Sequence, residues 1–186
     1  MYDYVIVHGS YGNPFENWFS WLFNELTARG KNVLAPQFPC GSDVQNYFNW
    51  SKVMNVYKSY IGKETSFIGH SLAPAFITDY ILENSLHVKN LYFAAPFYGL
   101  IDIPDFDQVN KPFFFYKDLK RIKNFTRSIT CYISTTDPYV PNQLSINFAD
   151  MIGAKKVLVE NAGHFNTAAG YTHFEQLLEE MMRDEE

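Results

Sequence analysis

Residues 65–76 read TSFIGHSLAPAF: a short apolar run, a glycine, a serine two places on, and then a run of small residues. Ser71 therefore stands where a strand ends and a helix begins. A hydroxyl at such a corner is either an ordinary helix-capping turn residue or a nucleophile held up for attack. The pentad GHSLA, residues 69–73, is a near match to the G-x-S-x-G elbow, a sharp turn that puts the serine at its apex and crowds the residues two before and two after it. Gly69 and Ala73 are both small enough, and Pro74 falls in the first helical turn, where a missing N–H costs little. The fifth position is Ala rather than Gly, and so short a pattern recurs by chance. The rest of the chain has to decide.

Outward from this corner, short apolar runs recur with helical patterns between them. They are YVIVHG (4–9), NVLAP (32–36), SFIG (66–69), VKNLYFAAP (88–96), ITCYIST (129–135) and KKVLVE (155–160). Most are continuously apolar rather than alternating, as expected for strands buried on both faces of a parallel sheet. Asn13, Pro14 and Glu16 predict the start of a helix that carries Phe15, Phe19, Leu22, Phe23 and Leu26 and ends at Gly30. Ser42 and Gln45 predict a second, running along Tyr47, Trp50, Met54, Tyr57 and Ile61 to Gly62. Thr172 and Glu175 repeat the capping pattern before Phe174, Leu177, Leu178 and Met181, and the acidic end RDEE reads as frayed. Strands alternating with helices imply right-handed crossovers, hence three layers: a mostly parallel sheet of about six strands with helices on both faces. No linker, repeat or low-complexity tract interrupts the pattern, so residues 1–186 read as a single domain.

One region departs from it. Residues 97–128 are too long for a simple turn and rich in Pro and aromatic side chains. A connection of this length is a candidate wall for a pocket; the plainer alternative is that Phe113, Phe114 and Phe115 pack a surface crossing into the core. Both readings stand at this point.

Composition narrows the function. A formal charge of -5 gives no electrostatic reason to expect nucleic acid. The basic run from Lys117 to Lys123, broken by Asp118, reads as the solvated face of a short helix. No apolar stretch reaches the ~20 residues of a membrane span, and the N-terminus lacks the basic and apolar segments of a signal peptide. The expectation is a cytoplasmic protein with Cys40 and Cys131 as free thiols. Scattered histidines without an H-x-x-x-H or a cysteine pair argue against a metal site, and the HGSYG stretch after the first strand lacks the spacing of a phosphate loop. No cofactor is expected.

A serine nucleophile needs an acid and a base, which follow it in that order in this class of fold. After ITCYIST comes Asp137 in DPYVP, where Pro138 disfavours helix and Pro141 suits the start of the next one. After KKVLVE comes His164 in NAGHFN, a Gly-bearing loop before the last helix. All three residues thus fall just beyond the C-terminal ends of strands, the edge at which open α/β sheets place their sites. Asp137 could instead simply cap the following helix. Asp102, Asp105 and Asp107 are rival acids, but they lie in the irregular region. Among the other histidines, His8 and His70 read as structural, His87 precedes a strand at the wrong edge, and His173 reads as solvated at the last helix.

With these segments in order, the chain resembles the α/β-hydrolase superfamily, and within it the small serine hydrolases that include retinoblastoma-binding protein 9 and the YdeN-like proteins. VIVHGSYGNPFENWFSWLFNEL, PQFP, FIGHSLA, DPYVP and GHFN carry the resemblance over nearly the whole chain. It implies a compact hydrolase core with little or no lid and esterase-like activity, and leaves the natural substrate open. The roles expected are Ser71 as nucleophile, His164 as general base and then acid, and Asp137 as the group that orients it. The oxyanion needs backbone donors, expected at the N–H of Leu72 and of Ser10, with Tyr11 as fallback. Tyr11, Trp18, Phe97, Tyr98 and Tyr139 are candidates to line a pocket for a short acyl group on a small ester or peptide-like substrate. Two other functions stay open: a non-catalytic protein-interaction module that keeps the fold, and acyl transfer to an acceptor other than water. A protein partner, and a monomeric or small homo-oligomeric state, are both compatible with the sequence.

Overall fold

The computed structural model describes residues 1–115 and 118–185. Lys117 of the basic run and Glu186 of the acidic end lie outside them. Six strands form one sheet: β1 (Tyr4–Val7), β2 (Val33–Leu34), β3 (Ser66–His70), β4 (Asn90–Ala94), β5 (Ser128–Ser134) and β6 (Lys155–Val159). Their order is β2-β1-β3-β4-β5-β6, and every neighbouring pair is parallel.

The apolar runs are continuous because successive residues enter two different cores. Val5, Val7, Phe67, Leu91, Phe93, Cys131 and Ile133 face one side, against α2 (Tyr47–Tyr57), α3 (Ala73–Asn84) and α5 (Asn142–Ile152). Tyr4, Ile6, Ile68, Tyr92, Ala94 and Tyr132 face the other, against α1 (Phe19–Ala28) and α6 (Glu175–Arg183). Side chains alternate across a strand, so a strand covered on both faces needs apolar residues at every position. β6 is the exception: Lys155, Lys156 and Leu158 are exposed, because this strand closes one edge of the sheet.

Several helix boundaries differ from the expected ones for local reasons. Asn13 and Glu16 do not open α1. Asn13 Oδ1 accepts the Phe15 N–H and its Nδ2 donates to Glu16, closing a separate turn before the helix begins at Phe19. The cap of α2 is Asn46, whose Oδ1 accepts the Asn49 N–H, while Gln45 is drawn away to Tyr11. α6 starts at Glu175 with no side-chain cap. The acidic end is anchored rather than frayed through residue 185. Asp184 accepts the Tyr92 hydroxyl at 2.6 Å, and Glu185 accepts the Tyr4 hydroxyl at 2.8 Å and pairs with Lys31 and Lys89.

Among its described residues, the irregular region after β4 contains α4 (Pro104–Asn110) and two 3₁₀ turns, Lys111–Phe113 and Leu119–Asn124. It serves both roles open at the sequence level. Phe113 is fully buried against Trp50 and Phe76, whereas Ile101, Phe106 and Asn110 face a cleft at the C-terminal edge of the sheet.

Candidate active site

Strand order turns at β1 and β3: the chain runs from β1 outward to β2, then returns to lay β3 on the other side of β1. Their connections leave in opposite directions and open a crevice beyond the strand ends, the usual ligand site in such sheets. The register pairs Val7 with Gly69, so the loop after β1 and the corner after β3 meet at the same height.

At that corner Ser71 has φ 61°, a left-handed conformation that a residue bearing a Cβ adopts only at a cost. Its N–H donates to the Ala94 carbonyl at 2.9 Å, which holds the turn. The small residues around it are required by contact. A Cβ on Gly69 would stand 2.8 Å from Ile77 Cδ1 and 3.2 Å from Pro74, so the packing of the start of α3 limits that position. A Cβ on Gly9 would stand 2.8 Å from Ser71 Cβ, so the loop after β1 approaches the serine through a residue without a side chain.

Ser71, His164 and Asp137, from three separate loops, meet here. Ser71 Oγ lies 3.0 Å from His164 Nε2, and His164 Nδ1 lies 2.7 Å from Asp137 Oδ2. The other Asp137 oxygen accepts the N–H groups of Tyr139 and Val140 at 2.9 and 3.0 Å. Asp137 does not cap α5, whose N-cap Pro141 has no side-chain partner; it holds its own loop, alongside the contact to His164. Among the rival acids, Asp107 on α4 is taken up by the segment before the helix, its Oδ1 accepting the Ile101 N–H at 2.8 Å.

Two further histidines support the loops. His70 Nε2 lies 2.7 Å from the His164 carbonyl, and burial, followed by the nearby His164, lowers its pKa to about 3. It stays neutral and donates from Nε2, tying the elbow to the loop that carries His164. His8 accepts the Phe38 N–H on Nε2, leaving Nδ1 to donate to the Gly9 carbonyl, and burial lowers its pKa to about 4. Both are structural, as the sequence suggested. His87 packs on Phe125 and His173 on Trp21, outside this cleft.

The N–H groups of Ser10 and Leu72 donate to no acceptor among the described residues. Tyr11 is no alternative, because its N–H is taken by Gln45 Oε1 at 2.9 Å. Asn110 reaches across from α4, its Oδ1 accepting the Ser10 hydroxyl, and so steadies the loop after β1.

Ser10, Ser71, Asn110 and His164 line a cleft of about 200 Å³. Phe97 and Tyr139 line it, as expected, together with Ile101, Phe106 and Val140. Three expected residues do not. Trp18 is fully buried behind the site, packed on His70 and donating from its indole N–H to the Phe165 carbonyl. Tyr98 turns beneath the cleft, where its hydroxyl donates to Asp79 and its ring stacks on Phe148. Tyr11 braces the loop from outside, its ring against Phe106 and its hydroxyl on the Asp105 carbonyl. Sequence proximity to the site misled here: a residue next to a functional loop can point either way. Glu16, Asn17, Asn110 and Asn166 form the polar lining, a role the sequence does not single out: Glu16 reads there as a helix-start signal, and Asn17 and Asn166 only as parts of longer segments. Among the described residues, no group of three or more His, Cys, Asp or Glu side chains is placed to hold a metal ion, and no helix is long and apolar enough to cross a membrane.

Comparison with known proteins agrees with this architecture. The family model described as serine hydrolase matches residues 4–183. YdeN of Bacillus subtilis (strain 168), assigned as a hydrolase, is 23% identical over 172 residues, covering 90% of this chain and 87% of that protein. The crystal structure of the ydeN gene product from B. subtilis superimposes with a TM-score of 0.87 at 20% identity, over 99% of this chain and 98% of that one. Est1E from Butyrivibrio proteoclasticus gives 0.71 at 16% identity, over 97% and 87%. At such identities the superpositions establish the fold, an α/β-hydrolase fold, and the family model establishes more: this YdeN-like chain belongs to the serine hydrolase family.

Proposed function

We propose that the protein hydrolyses small esters, and amides or peptide-like compounds of similar size, through an acyl-enzyme on Ser71. Ser71 Oγ bonds to the substrate carbonyl carbon as its proton passes to His164 Nε2. The carbonyl electron pair moves onto oxygen, where the N–H groups of Ser10 and Leu72 receive it. His164 then gives its proton to the leaving oxygen or nitrogen as the bond from carbon breaks. Water repeats the sequence on the acyl-enzyme, releasing the acid and restoring the Ser71 hydroxyl. Asp137 keeps the proton of neutral His164 on Nδ1 and stabilises the cation formed in between.

The observation that carries this reading is the continuous hydrogen-bonded relay, 3.0 Å from Ser71 to His164 and 2.7 Å from His164 to Asp137, with the serine in a strained conformation. A purely structural corner has no need of strain, a histidine and a carboxylate together. The cleft of about 200 Å³ supports a short acyl group. Rapid mixing with p-nitrophenyl acetate tests the scheme: a burst of about one equivalent of p-nitrophenol is expected, with an acetyl group on the peptide that contains Ser71. Steady turnover with no acylated peptide contradicts it. Across acetyl to dodecanoyl esters, kcat/KM is expected to fall as the chain lengthens; a steady rise contradicts the short-acyl assignment.

A further inference from the structure

Glu16 is half-buried and lines the cleft that holds Ser71, yet it takes part in no ion pair among the described residues. Its hydrogen-bond partners are neutral donors of one neighbouring residue, the Asn13 amide Nδ2 at 3.2 Å and the Asn13 backbone N–H. The carboxyl is pressed against the loop after β1: a Cβ on Gly12 would stand 2.5 Å from Glu16 Oε1 and 3.0 Å from the Gly9 carbonyl, and Gly9 is the residue in contact with Ser71. An acid in that position is unfavourable in isolation. Burial raises its pKa above the usual carboxylate value, and an anion beside the loop that is to receive a developing oxyanion opposes that charge.

Among the described residues, no neighbour supplies the missing cation. The cleft lining contains no Lys or Arg. The titratable groups around Glu16 include Cys40, whose thiol donates to the Gly12 carbonyl at 3.2 Å, and His8, whose ring is neutral and bonded on both nitrogens. His70 and His164 line the same cleft, bonded respectively to the His164 carbonyl and to Asp137 and Ser71. Asn17 is turned to the loop after His164, its Oδ1 accepting the Thr167 N–H.

We propose that Glu16 makes the cleft selective for small esters that carry a positive charge, the substrate's cation pairing with this carboxylate. The proposal rests on the reading of Ser71 as nucleophile. A cation bound at Glu16 completes an otherwise unpaired acid, keeps it ionised, and offsets its repulsion of the oxyanion. The formal charge of -5 favours the approach of the same class of substrate. An anionic substituent meets the opposite field and is rejected. The cation sits on the acyl portion or on the alcohol portion, and two probe pairs separate these.

p-Nitrophenyl β-alaninate and p-nitrophenyl butanoate differ only by an ammonium in place of a methyl group on the acyl chain. Butyrylcholine and 3,3-dimethylbutyl butanoate differ likewise on the alcohol. At low salt and pH 6.5, kcat/KM for the cationic member of one pair is expected to exceed its neutral twin by about tenfold, a preference that weakens with salt. Glu16→Gln is expected to bring that ratio to about one, and Glu16→Lys to invert it. Fluorophosphonate labelling of both variants checks that the site remains assembled. Equal rates for both members of both pairs in the parent enzyme, or a preference that survives Glu16→Gln, overturn the role of Glu16 while leaving Ser71 untouched. Failure of the parent enzyme to cleave any of the four and to take up the label overturns the Ser71 reading, and the proposal with it.

Discussion

Asp137 meets His164 with one carboxylate oxygen and its own loop with the other: Oδ2 lies 2.7 Å from His164 Nδ1, while Oδ1 accepts the N–H groups of Tyr139 and Val140. Two substitutions separate these duties. Asp137→Asn keeps an oxygen for the loop but offers His164 an amide, which favours the wrong tautomer; kcat is expected to fall by about 10³–10⁴-fold with little change in Tm. Asp137→Ala removes both and is expected to match that loss while also lowering Tm. Steady-state kinetics beside thermal unfolding reads both. Unchanged kcat in Asp137→Asn removes Asp137 from the relay.

Gly9→Ala tests the approach of the loop after β1 to the serine. The added Cβ would stand 2.8 Å from Ser71 Cβ and 3.2 Å from the His70 carbonyl, with backbone on one side and the strained elbow on the other. The loop must retreat, taking the Ser10 N–H with it, and kcat is expected to drop about 10²-fold or more, as when an oxyanion donor is lost. Parent-like kcat in a folded Gly9→Ala variant contradicts the placement of the oxyanion site.

Asp79 gives a pH dependence with a definite sign. It is fully buried on α3 with the Tyr98 hydroxyl on its carboxylate, and burial raises its pKa from 3.8 to about 8. Below pH 3.8 both folded and unfolded chains hold the proton and the contribution is complete. Between 3.8 and 8 the unfolded chain ionises while the folded one keeps its proton, so stability is lost as pH rises; above 8 the loss levels off. Asp79→Asn does not titrate. Denaturant unfolding from pH 5 to 9 is expected to show the stability of Asp79→Asn rising relative to the parent up to about 8 and then holding constant. A constant difference across that range contradicts the burial of a neutral acid.

The elbow and the order serine, acid, histidine were legible because each rests on a local constraint: a glycine that admits the turn, and prolines that force Asp137 out of helix. Both sheet faces were legible for the same kind of reason, since continuous apolar runs have few other uses. The pocket was not. Trp18 and Phe97 are both large aromatics adjacent to functional loops, and only tertiary packing sends one behind His70 and the other into the cleft. Glu16 was read as a helix-start signal, and its side chain instead joins a turn at the cleft wall. The acidic terminus reads from its sequence as frayed, but the partners that hold it, Tyr4, Lys31, Lys89 and Tyr92, come from distant parts of the chain.

That terminus yields a stability prediction. Burial alone would raise the Glu185 pKa, but the hydrogen bonds from Lys31, Tyr4 and Lys89 outweigh it and hold it at about 2. Its contribution is present above the ordinary value of 4.5 and is lost as pH falls toward about 2. Glu185 is exposed, so solvent screens these pairs. Glu185→Gln is expected to cost about 0.5–1 kcal/mol near neutral pH, a Tm drop of roughly 1–4 °C, with the gap from the parent closing in acid. Equal Tm values at neutral pH contradict the anchoring.

The central claim is that Ser71 is the nucleophile and that His164 activates it. Labelling with a fluorophosphonate probe tests it most directly, comparing the parent with Ser71→Ala and His164→Ala. The account predicts stoichiometric labelling of the parent, none in Ser71→Ala, and labelling slowed by about 10³-fold or more in His164→Ala. Labelling of Ser71→Ala at the parent's rate would contradict it.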